Sequence, residues 1–401
     1  AAIVAKHIGD AQCRVALACR TPGLAEPAHF AVDDERLDMR EAVSRFLLHD
    51  VSVAEAHPNL QPFAELKVMR PHTTNEAPPF SAESRYLGNT GEVARRTAAL
   101  VPGALYDARC NVVLARSGRI LRETENVWRE LPDVPFHRRY YWRYHYTRPL
   151  RDLGGVCMVL RSPANNYYHA LVDNLPRLYW LHHPAMRDEH IRVLMPAAPY
   201  RWEAYFLPKL LPENAELIQV DPAYLWRAER MVIGDYLSEQ MSGALPTQYL
   251  DFFLPRVLPA RPRQRRHRIY ISRREAPGGR RILNEDAVRA HMEARGFAVY
   301  LLETLDIAQQ IELFYDAEIV VAPHGAGLTN ILFSGSIDLV ELHPTQAIMP
   351  HSYFMARAMG HRYHALCAGE SNRHSSFTVD IGALETLLDS IEQTHREKGN
   401  A

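Results

Sequence analysis

The pattern of apolar positions divides the chain into a weakly patterned first hundred residues and a remainder in which apolar runs alternate with amphipathic segments. Residues 1–100 are rich in Ala, Pro and polar residues, so we expect an irregular accessory region there. From about residue 101, short apolar runs alternate with segments of helical period. This alternation predicts an α/β fold with parallel sheets covered by helices.

Two α/β halves and a connecting segment are predicted. Residues 101–255 and residues 256–370 each contain strand and helix patterns in alternation, and residues 371–401 hold one further amphipathic helix. The basic, proline-bearing stretch LPRVLPARPRQRRHR is typical of an interdomain connection. Two such halves place a cleft between them, and open α/β sheets bind ligands at the carboxyl ends of their strands.

A glycine-rich turn follows one of the predicted buried strands. The run EIVVAP is followed by HGAG (324–327), after which LTNILF is apolar again. Glycine permits either a close approach of the backbone to another group or a positive φ. A strand, a glycine turn and a helix together present N–H groups and the positive end of the helix dipole to an anion. The alternative is a tight turn without a ligand, and this stretch alone does not separate the two.

The stretch NNYYHALVDNLPRLYW (165–180) carries polar residues at helical spacing. His169, Asp173 and Arg177 stand four residues apart, and Asn166 extends their ridge by three. A histidine and a carboxylate on an otherwise apolar helix are costly to bury unless they are used or solvated. Their chemical use would be general-base catalysis, the removal of a proton from a hydroxyl group. The alternative is a solvated ridge in which Asp173 and Arg177 form a helical ion pair.

Two further positions carry chemistry in or just after predicted strands. Arg273 and Arg274 close the pattern IYISRR, and an arginine at the carboxyl end of a strand can grip a phosphate with its forked guanidinium group. Strand alternation relates Arg273 to the apolar Ile269 and Ile271. Glu341 lies in the pattern DLVELHP, where an acidic residue can bind ribose hydroxyls. Ordinary solvated side chains are the alternative in each case.

Composition restricts the class of partner. The chain of 401 residues is 47% hydrophobic and 23% charged, with a formal net charge of -1. It has no global positive field to attract nucleic acid or an anionic membrane, and no apolar run of the roughly 18 residues that a membrane span needs. The first residues lack the apolar run of a signal peptide, and the five cysteines are scattered without a CxxC pair. We therefore expect a cytoplasmic protein without nucleic-acid partners.

A protein-bound metal is not favoured by the sequence. His169 and Asp173 could supply two ligands and His324 a third, but no HExxH signature is present. No two aspartates are separated by a single residue, so the DxD motif is absent. Enzymes that hold a nucleotide diphosphate through a divalent metal usually carry that motif. Arginine and backbone N–H groups would have to neutralise such a diphosphate here.

Three stretches, in this order, resemble glycosyltransferase family 61: NYYHALVDNLPRL (166–178), IYISRREAPGGRRILNE (269–285) and VVAPHGAGLTNILFSGSIDLVELHP (320–344). The resemblance extends over roughly two thirds of the chain, and HGAGLTN is its strongest part. The family includes bacterial glycan-biosynthesis enzymes and plant xylan-decorating transferases. It also includes the animal transferases that add N-acetylglucosamine to protein O-mannose or to EGF domains.

The resemblance implies a GT-B-like fold, in which two Rossmann-like domains, an acceptor domain (101–255) and a donor domain (256–370), face each other across a cleft. It implies an inverting transferase that requires no cofactor and no metal. Asp173 or His169 falls where the base is expected, and Asp173 could instead orient His169. Asn166 and Arg177 fall on the acceptor side. The residues that fall at the nucleotide-sugar donor are Arg273, Arg274, His324, Gly325, Ala326, Gly327, Leu328, Thr329, Asn330 and Glu341.

The resemblance also suggests the substrates. A UDP-sugar is the expected donor, and a glycan or glycolipid hydroxyl in bacterial capsule or lipopolysaccharide biosynthesis is the expected acceptor, near the inner membrane surface. The basic segment 261–268 is compatible with contact with an anionic membrane, although a solvated connection is the simpler interpretation.

Two other functions stay open at this point, and nothing in the sequence indicates an oligomeric state. One is a non-catalytic module that binds a nucleotide sugar. The other is a Rossmann-type nucleotide-dependent oxidoreductase or epimerase, which should carry GxGxxG directly after a first strand. The stretch GAGLTN lacks the third glycine of that pattern.

Overall fold

The computed structural model divides the chain into two compact units. The first comprises Ala1–Val51 and Arg95–Leu237, and the second comprises Ser52–Ala94 and Ser238–Ala401. Most of the predicted accessory region, residues 1–100, lies outside the part of the chain that the structure describes. The described residues are 45–47, 68–69, 98–109, 111–115, 121, 124, 149–162, 166–234, 236–238, 243, 245–275, 280–344, 351–368 and 376–399.

Strands and helices alternate through the described residues. The strands are β1 (Arg45–Leu47), β2 (Val68–Met69), β3 (Ala98–Pro102), β4 (Leu105–Asp107), β5 (Val112–Leu114), β6 (Leu150–Val159), β7 (Ile191–Met195), β8 (Ala215–Gln219), β9 (Leu225–Gly234), β10 (His267–Ile271), β11 (Ala298–Tyr300), β12 (Ala317–Pro323), β13 (Asp338–His343) and β14 (Arg362–Cys367). The longer α-helices are α1 (Arg201–Leu210), α2 (Thr247–Val257), α3 (Glu285–Ala294), α4 (Ile307–Tyr315), α5 (His351–Ala358) and α6 (Ile381–Gly399).

Two of the longer helical segments are not regular α-helices. The first, which we call the irregular helix, spans 167–182 and consists of an α-helical turn (Tyr167–His169), a π-helical turn (Ala170–Asn174) and a 3-10 helix (Leu175–His182). The second is a 3-10 helix at Ala326–Phe333. Both occur where the sequence predicts chemistry, and π-helical turns are frequent at functional sites.

The first unit is built on a mixed sheet with the strand order β1-β3-β9-β6-β7-β8. The pairings among β9, β6, β7 and β8 are parallel, whereas β1, β3 and the hairpin of β4 and β5 join through antiparallel pairings. If the parallel strands β6, β7, β8 and β9 are renumbered 1 to 4 in chain order, they lie side by side in the order 3-2-1-4. This order is also found within a Rossmann sheet. The strand order therefore reverses between β6 and β9, and ligands bind at such switch points.

The irregular helix packs tightly against the end of β9. A Cβ atom at Gly234 would lie 2.3 Å from Cδ1 of Trp180, so a glycine is needed for the indole ring to approach this strand. Leu171, Leu175 and Leu178 are also fully buried. Most of the helix is thus buried, and its partly exposed residues are Tyr167, His169, Tyr179 and His182.

The second unit is built on a six-stranded sheet with the order β11-β10-β12-β13-β14-β2, in which every pairing is parallel. Without β2, the order in chain sequence is 2-1-3-4-5, a doubly wound arrangement whose switch point lies between β10 and β12. Apolar side chains of α3 and α6, such as Val288 and Leu388, share a core with Tyr270 and Val340 of the sheet. The short apolar runs predicted these strands well, because parallel strands are buried on both faces.

The structure therefore belongs to the mixed α/β class, with parallel sheets in both units. The helix α3 ends at Ala294, and Gly296 follows it with a φ of 78°. The side chain of Asn284 does not cap this helix. It instead forms two hydrogen bonds with the backbone of Val379. Within the described residues, none of the helices has both the length and the apolar composition needed to cross a bilayer.

The basic segment does not join the two units, because it lies within the second unit, although residues 264–266 are exposed as predicted. Its first part belongs to α2, and the following arginines bind to the second unit. Arg261 forms ion pairs with Glu312 and Asp316. Arg263 donates hydrogen bonds to the carbonyl oxygens of Tyr315 and Phe333. These partners lie about fifty to seventy residues away in sequence, so the segment is part of the fold of the second unit.

Candidate active site

A histidine–carboxylate pair lies on the irregular helix, just after β6 at the switch point of the first sheet. Nδ1 of His169 lies 2.5 Å from Oδ2 of Asp173, a contact that the spacing of four residues predicts. Asn166, which is exposed, stands at the start of this helix, and its side-chain oxygen accepts a hydrogen bond of 3.1 Å from the backbone N–H of His169. The first turn that carries His169 is thereby fixed at its amino end.

The two members of this pair differ in exposure. The side chain of His169 is 19% exposed, whereas that of Asp173 is completely buried. Burial raises the pKa of Asp173, and the hydrogen bond and charge of His169 act in the opposite direction. Oδ1 of Asp173 has no hydrogen-bond partner within the described part of the chain. A substrate hydroxyl can therefore reach His169 directly but can reach Asp173 only through it.

Arg177 lies inside the first unit and does not continue the predicted surface ridge. Its side chain is 1% exposed, and its guanidinium group lies 5.5 Å from the ring centre of Tyr236. Burial lowers the pKa of Arg177, and the nearby Tyr236 and Asp173 act in the opposite direction. Nε and Nη2 of Arg177 have no hydrogen-bond partner among the described residues. The position therefore offers an acceptor molecule almost no surface.

The local backbone departs from an α-helix between Asp173 and Arg177. A strict spacing of four residues keeps side chains on one face only while the helix stays α-helical. Here the backbone passes from a π-helical turn to a 3-10 helix at Leu175, directly before Pro176. The spacing of four residues therefore does not define one surface ridge here, and both Asp173 and Arg177 are buried.

Arg273 and His324 flank the switch point of the second sheet. Arg273 lies two residues beyond β10, and His324 directly follows β12. These two strands are parallel neighbours, so both side chains leave the same edge of the sheet. A Cβ atom at Gly325 would lie 2.1 Å from Nη1 of Arg273. The guanidinium group therefore rests directly on the glycine turn.

The glycines of this turn provide space and not an unusual backbone conformation. The φ of Gly325 is 172°, which is extended backbone open to any residue. A Cβ atom at Gly327 would lie 2.8 Å from Cδ1 of Leu302. Of the two uses of glycine that the sequence allows, the close approach of another group is the one observed.

The two arginines after β10 have different environments. Arg273 is half-buried, and its buried Nε has no hydrogen-bond partner among the described residues. Burial lowers the pKa of Arg273, and the charge of Arg280 adds to this effect. Arg274 is exposed and pairs with Asp286 at 3.0 Å. An anion at the glycine turn would thus meet Arg273, whereas Arg274 is engaged on the surface.

The buried residues that follow the turn form hydrogen bonds with its backbone. Leu328, Thr329 and Asn330 are buried. The hydroxyl group of Thr329 donates a hydrogen bond of 2.7 Å to the carbonyl oxygen of Ala326, and Nδ2 of Asn330 donates one of 3.0 Å to that of Gly327. The backbone of residues 324–327 is the partly exposed portion of this segment.

Glu341 is completely buried, and its carboxylate is surrounded by donors. Oε1 lies 2.6 Å from Nδ1 of His324 and accepts a hydrogen bond of 2.9 Å from the hydroxyl group of Ser352. Oε2 accepts a hydrogen bond of 2.5 Å from the hydroxyl group of Tyr363 and lies 3.3 Å from Nε2 of His343. Side chains alternate between the two faces of a strand, so His343 lies on the same face of β13 as Glu341. No local pattern indicates Ser352 or Tyr363, which come from other elements.

The protonation states of this cluster follow from burial and charge. Burial alone would raise the pKa of Glu341, but the charges and hydrogen bonds of His343 and His324 outweigh it and bring the pKa well below its ordinary value. Burial lowers the pKa of His324, and Glu341 opposes this only in part. At neutral pH, Glu341 is ionised and His324 is neutral.

The same three residues form a group that could hold a metal ion. One ligand atom each from His324, Glu341 and His343 lies within 4.8 Å of the others. The separation of 2.6 Å between Nδ1 of His324 and Oε1 of Glu341 is that of a charge-assisted hydrogen bond. Since Ser352 and Tyr363 also donate to the carboxylate, its lone pairs are already used. The donor set thus fits a hydrogen-bonded network, and we assign no metal ligands here.

Comparison with known proteins identifies one family over part of the chain. Residues 167–348 match the model of the family described as Glycosyltransferase 61, and this range includes all the candidate residues except Asn166. No curated protein matches the chain. This match assigns residues 167–348 to glycosyltransferase family 61, and it supports a glycosyltransferase, which needs a donor and an acceptor.

Proposed function

We propose that the chain is an inverting, metal-independent glycosyltransferase of GT-B-like arrangement, which moves a sugar from a nucleotide sugar to a hydroxyl group of a glycan. One observation carries this proposal. Each sheet bears its own set of candidate residues at its own switch point, a histidine–carboxylate pair in the first unit and an arginine on a glycine turn in the second. These are the groups that an acceptor hydroxyl and a donor diphosphate, respectively, require.

In the proposed reaction, His169 is the base. Its Nδ1–H points to Asp173, so Nε2 carries the free lone pair. Nε2 takes the proton of the acceptor hydroxyl while the hydroxyl oxygen forms a bond to C1 of the donor sugar. The bond between C1 and the diphosphate oxygen breaks on the opposite face, and its electron pair leaves with the nucleoside diphosphate. Asp173 orients the ring and stabilises the imidazolium ion that forms.

The leaving diphosphate is proposed to bind at Arg273 and the turn of residues 324–327. The half-buried guanidinium group has unused hydrogen-bonding capacity, and the glycine at 325 lets it lie on the backbone. The first N–H groups of the following 3-10 helix add donors for an anion. These groups would take the role that a divalent metal has in DxD enzymes.

Arg177 is proposed to support the pair without contacting substrate. It is a buried cation whose charge acts on Asp173, and Asp173 is a buried carboxylate whose ionised form needs compensation. This assignment replaces the acceptor-side role that the family resemblance implies for Arg177. Asn166, being exposed at the start of the same helix, keeps a proposed place on the acceptor side.

The substrates in this proposal rest on the family resemblance. We take a UDP-sugar as the working donor and a hydroxyl of a bacterial surface polysaccharide, of the capsule or lipopolysaccharide type, as the working acceptor. The reaction would then take place in the cytoplasm, at or near the inner membrane surface.

A thermal-shift screen of nucleotides and nucleotide sugars, with and without EDTA, tests the donor part of the proposal. We expect one nucleotide series to raise the melting temperature equally in both conditions. The Arg273→Ala variant should lose the shift, and Arg289→Ala, which removes an exposed arginine of α3, should keep it. A shift only with dinucleotide cofactors would instead favour an oxidoreductase or epimerase.

Donor turnover tests the catalytic part. The His169→Ala variant should bind the donor normally but release free nucleoside diphosphate much more slowly. His190→Ala is the matched control, because His190 forms an exposed pair with Glu216 in the same unit. Donor binding without turnover in the unaltered protein, with every acceptor offered, would favour a non-catalytic binding module.

A further inference from the structure

The network around Glu341 fixes the orientation of His324. An ionised carboxylate only accepts hydrogen bonds, so the nitrogen that lies 2.6 Å from it has to carry a proton. This nitrogen is Nδ1. Because His324 is neutral, its other nitrogen, Nε2, has no proton and can act only as an acceptor.

The free nitrogen of His324 belongs to a partly exposed side chain at the start of the glycine turn. Nε2 has no hydrogen-bond partner among the described residues, and the side chain is 12% exposed. The ring is held on its other side by His343, whose ring lies at 5.6 Å and an interplanar angle of 22°. His324 is thus a rigid acceptor next to Gly325, on which the guanidinium group of Arg273 rests.

We propose that His324 recognises a hydroxyl group of the bound nucleotide sugar through Nε2, and that Glu341 is a positioning residue that holds this acceptor in place. The inference rests on the proposed function, since it needs a nucleotide sugar at the glycine turn. It replaces two expectations from the sequence, namely that His324 contacts the diphosphate and that Glu341 contacts the ribose.

The chemistry favours a hydroxyl group over a phosphate. A lone pair on Nε2 repels the oxygens of a diphosphate, whereas it accepts a proton from an O–H group. Glu341 has no surface and already has four donors around it, so it is unsuited to bind a ribose itself. A nucleotide sugar offers hydroxyl groups close to the diphosphate on both the ribose and the transferred sugar, and the inference covers either source.

Deoxy ligands distinguish the two sources. Dissociation constants are measured by titration calorimetry for UDP, 2′-deoxy-UDP and 3′-deoxy-UDP, and for UDP-glucose and its 2-deoxyglucose counterpart. We expect one of the deoxy ligands to bind about tenfold more weakly than its parent, because Nε2 loses its partner. Loss with deoxyribose assigns the ribose, and loss with the deoxysugar assigns the transferred sugar.

Variants of His324 show whether its side chain causes the weaker binding of the deoxy ligand. His324→Leu should bind the parent and the deoxy ligand equally well. His324→Gln should keep part of the discrimination, since its amide oxygen can accept the same hydrogen bond. His364→Gln is the matched control, because His364 also pairs with a buried carboxylate, Asp338, and should leave the ratio unchanged.

Variants of the network test the positioning role of Glu341. In Glu341→Gln, the side-chain amide can donate to Nδ1 and leave the proton on Nε2. The ratio of the dissociation constants of the deoxy and parent ligands should then fall to about one. Tyr363→Phe removes a different donor to the same carboxylate and should keep the ratio. A merely structural role of Glu341 would weaken the parent and deoxy ligands by the same factor.

The pH dependence gives an independent readout with UDP-glucose, whose diphosphate does not titrate near neutrality. If Nε2 accepts from a hydroxyl, affinity falls as the pH drops through the pKa of His324, which burial holds below the ordinary value of 6.5. A His324 that grips the diphosphate as a cation gives the opposite sign. The groups that act on His324 are Glu341, His343 and Arg280, so the profile is read as the difference from His324→Leu.

The outcomes separate this inference from the proposed function. Equal binding of all deoxy and parent ligands, or affinity that rises as the pH falls, overturns the inference and leaves the donor site standing. Absence of binding by any nucleotide overturns the proposed function and the inference with it. If Glu341→Gln does not fold, the two His324 variants still decide the matter.

Discussion

The two units each contain a histidine whose Nδ1 faces a buried carboxylate, but the two carboxylates are held very differently. Asp173 has one oxygen on His169 and one oxygen without a hydrogen-bond partner among the described residues. Both oxygens of Glu341 are engaged, by His324 and Ser352 on one side and by Tyr363 and His343 on the other. Accordingly, the pKa of Asp173 is raised and that of Glu341 is lowered.

This difference in hydrogen bonding indicates which pair can take part in proton transfer. A carboxylate that is poorly satisfied gains stabilisation when its histidine becomes a cation, which suits the partner of a base. A carboxylate that is fully satisfied holds its histidine in one orientation while burial keeps that histidine neutral. We therefore assign proton removal to His169 and recognition to His324. The predictions below test this contrast.

Removing the charge of Asp173 should have the largest effect. Asp173→Asn keeps the shape but no longer stabilises the imidazolium form of His169, so kcat should fall by about 10²–10⁴-fold. Donor affinity should stay unchanged because Arg273 and the glycine turn are untouched. The measurement is steady-state release of nucleoside diphosphate, with Glu216→Gln, from the exposed pair with His190, as the control. An unchanged kcat would remove the catalytic assignment of this pair.

Removing the charge of Glu341 should mainly cost stability. Glu341→Gln leaves several donors without an ionised acceptor in a buried site, at a cost of about 3 kcal/mol in the free energy of unfolding. Chemical denaturation measures this, and Glu318→Gln, which alters a partly exposed pair with His395, should cost little.

The pH dependence of this cost follows from the lowered pKa. The folded protein binds the proton on Glu341 less readily than the unfolded chain, so the stabilisation is fully present above pH 4.5, the ordinary value, and is lost as the pH falls below it. The difference between Glu341→Gln and the unaltered protein should therefore shrink in acid. A difference that grows as the pH falls would contradict the ionised network.

Filling the space at Gly325 should weaken donor binding. A Cβ atom there would lie on the guanidinium group of Arg273, the far end of a flexible side chain, so this group should shift away and lose a charge-assisted hydrogen bond to the ligand, which is worth about 1.5–3 kcal/mol. For Gly325→Ala we expect the nucleotide dissociation constant to rise by about tenfold, with little change in stability because the extended φ is open to alanine. Gly382→Ala is the control, because a Cβ atom there makes only an ordinary contact with Asp380.

The smallest effect is a gain. Because burial penalises the ionised form of Asp173, Asp173→Asn should stabilise the fold by about 1 kcal/mol at pH 8 while it removes activity. The raised pKa means that the penalty grows as the pH rises and disappears in acid. Denaturation at pH 8 and pH 4 would show this. A loss of stability at pH 8 would place Asp173 in the same class as Glu341.

Local patterns were sufficient for much of the fold and for the first pair. The apolar runs of the second sheet are short and buried on both faces, so they stand out in the sequence. The spacing of His169 and Asp173 is a helical contact and needs no tertiary information. The strand β9 was not predicted, because its first half carries exposed charged residues such as Arg227 and Glu229 that interrupt the apolar pattern.

What sequence reasoning missed depends on partners that are distant along the chain. The network of Glu341 needs Tyr363 and Ser352, and the anchoring of Arg261 needs Glu312 and Asp316. The spacing of four residues also did not show that Asp173 and Arg177 are both buried, or that the helix type changes between them. These features result from packing, which periodicity cannot describe.

The contact between Gly325 and Arg273 has a consequence for how this site can evolve. Since the backbone at residue 325 would accept a larger residue, the requirement for glycine comes entirely from the arginine that lies on it. A substitution at either position should therefore be tolerated mainly after a change at the other. Among natural relatives, residues 273 and 325 should vary as a pair, and a homologue without the arginine should be free to lose the glycine.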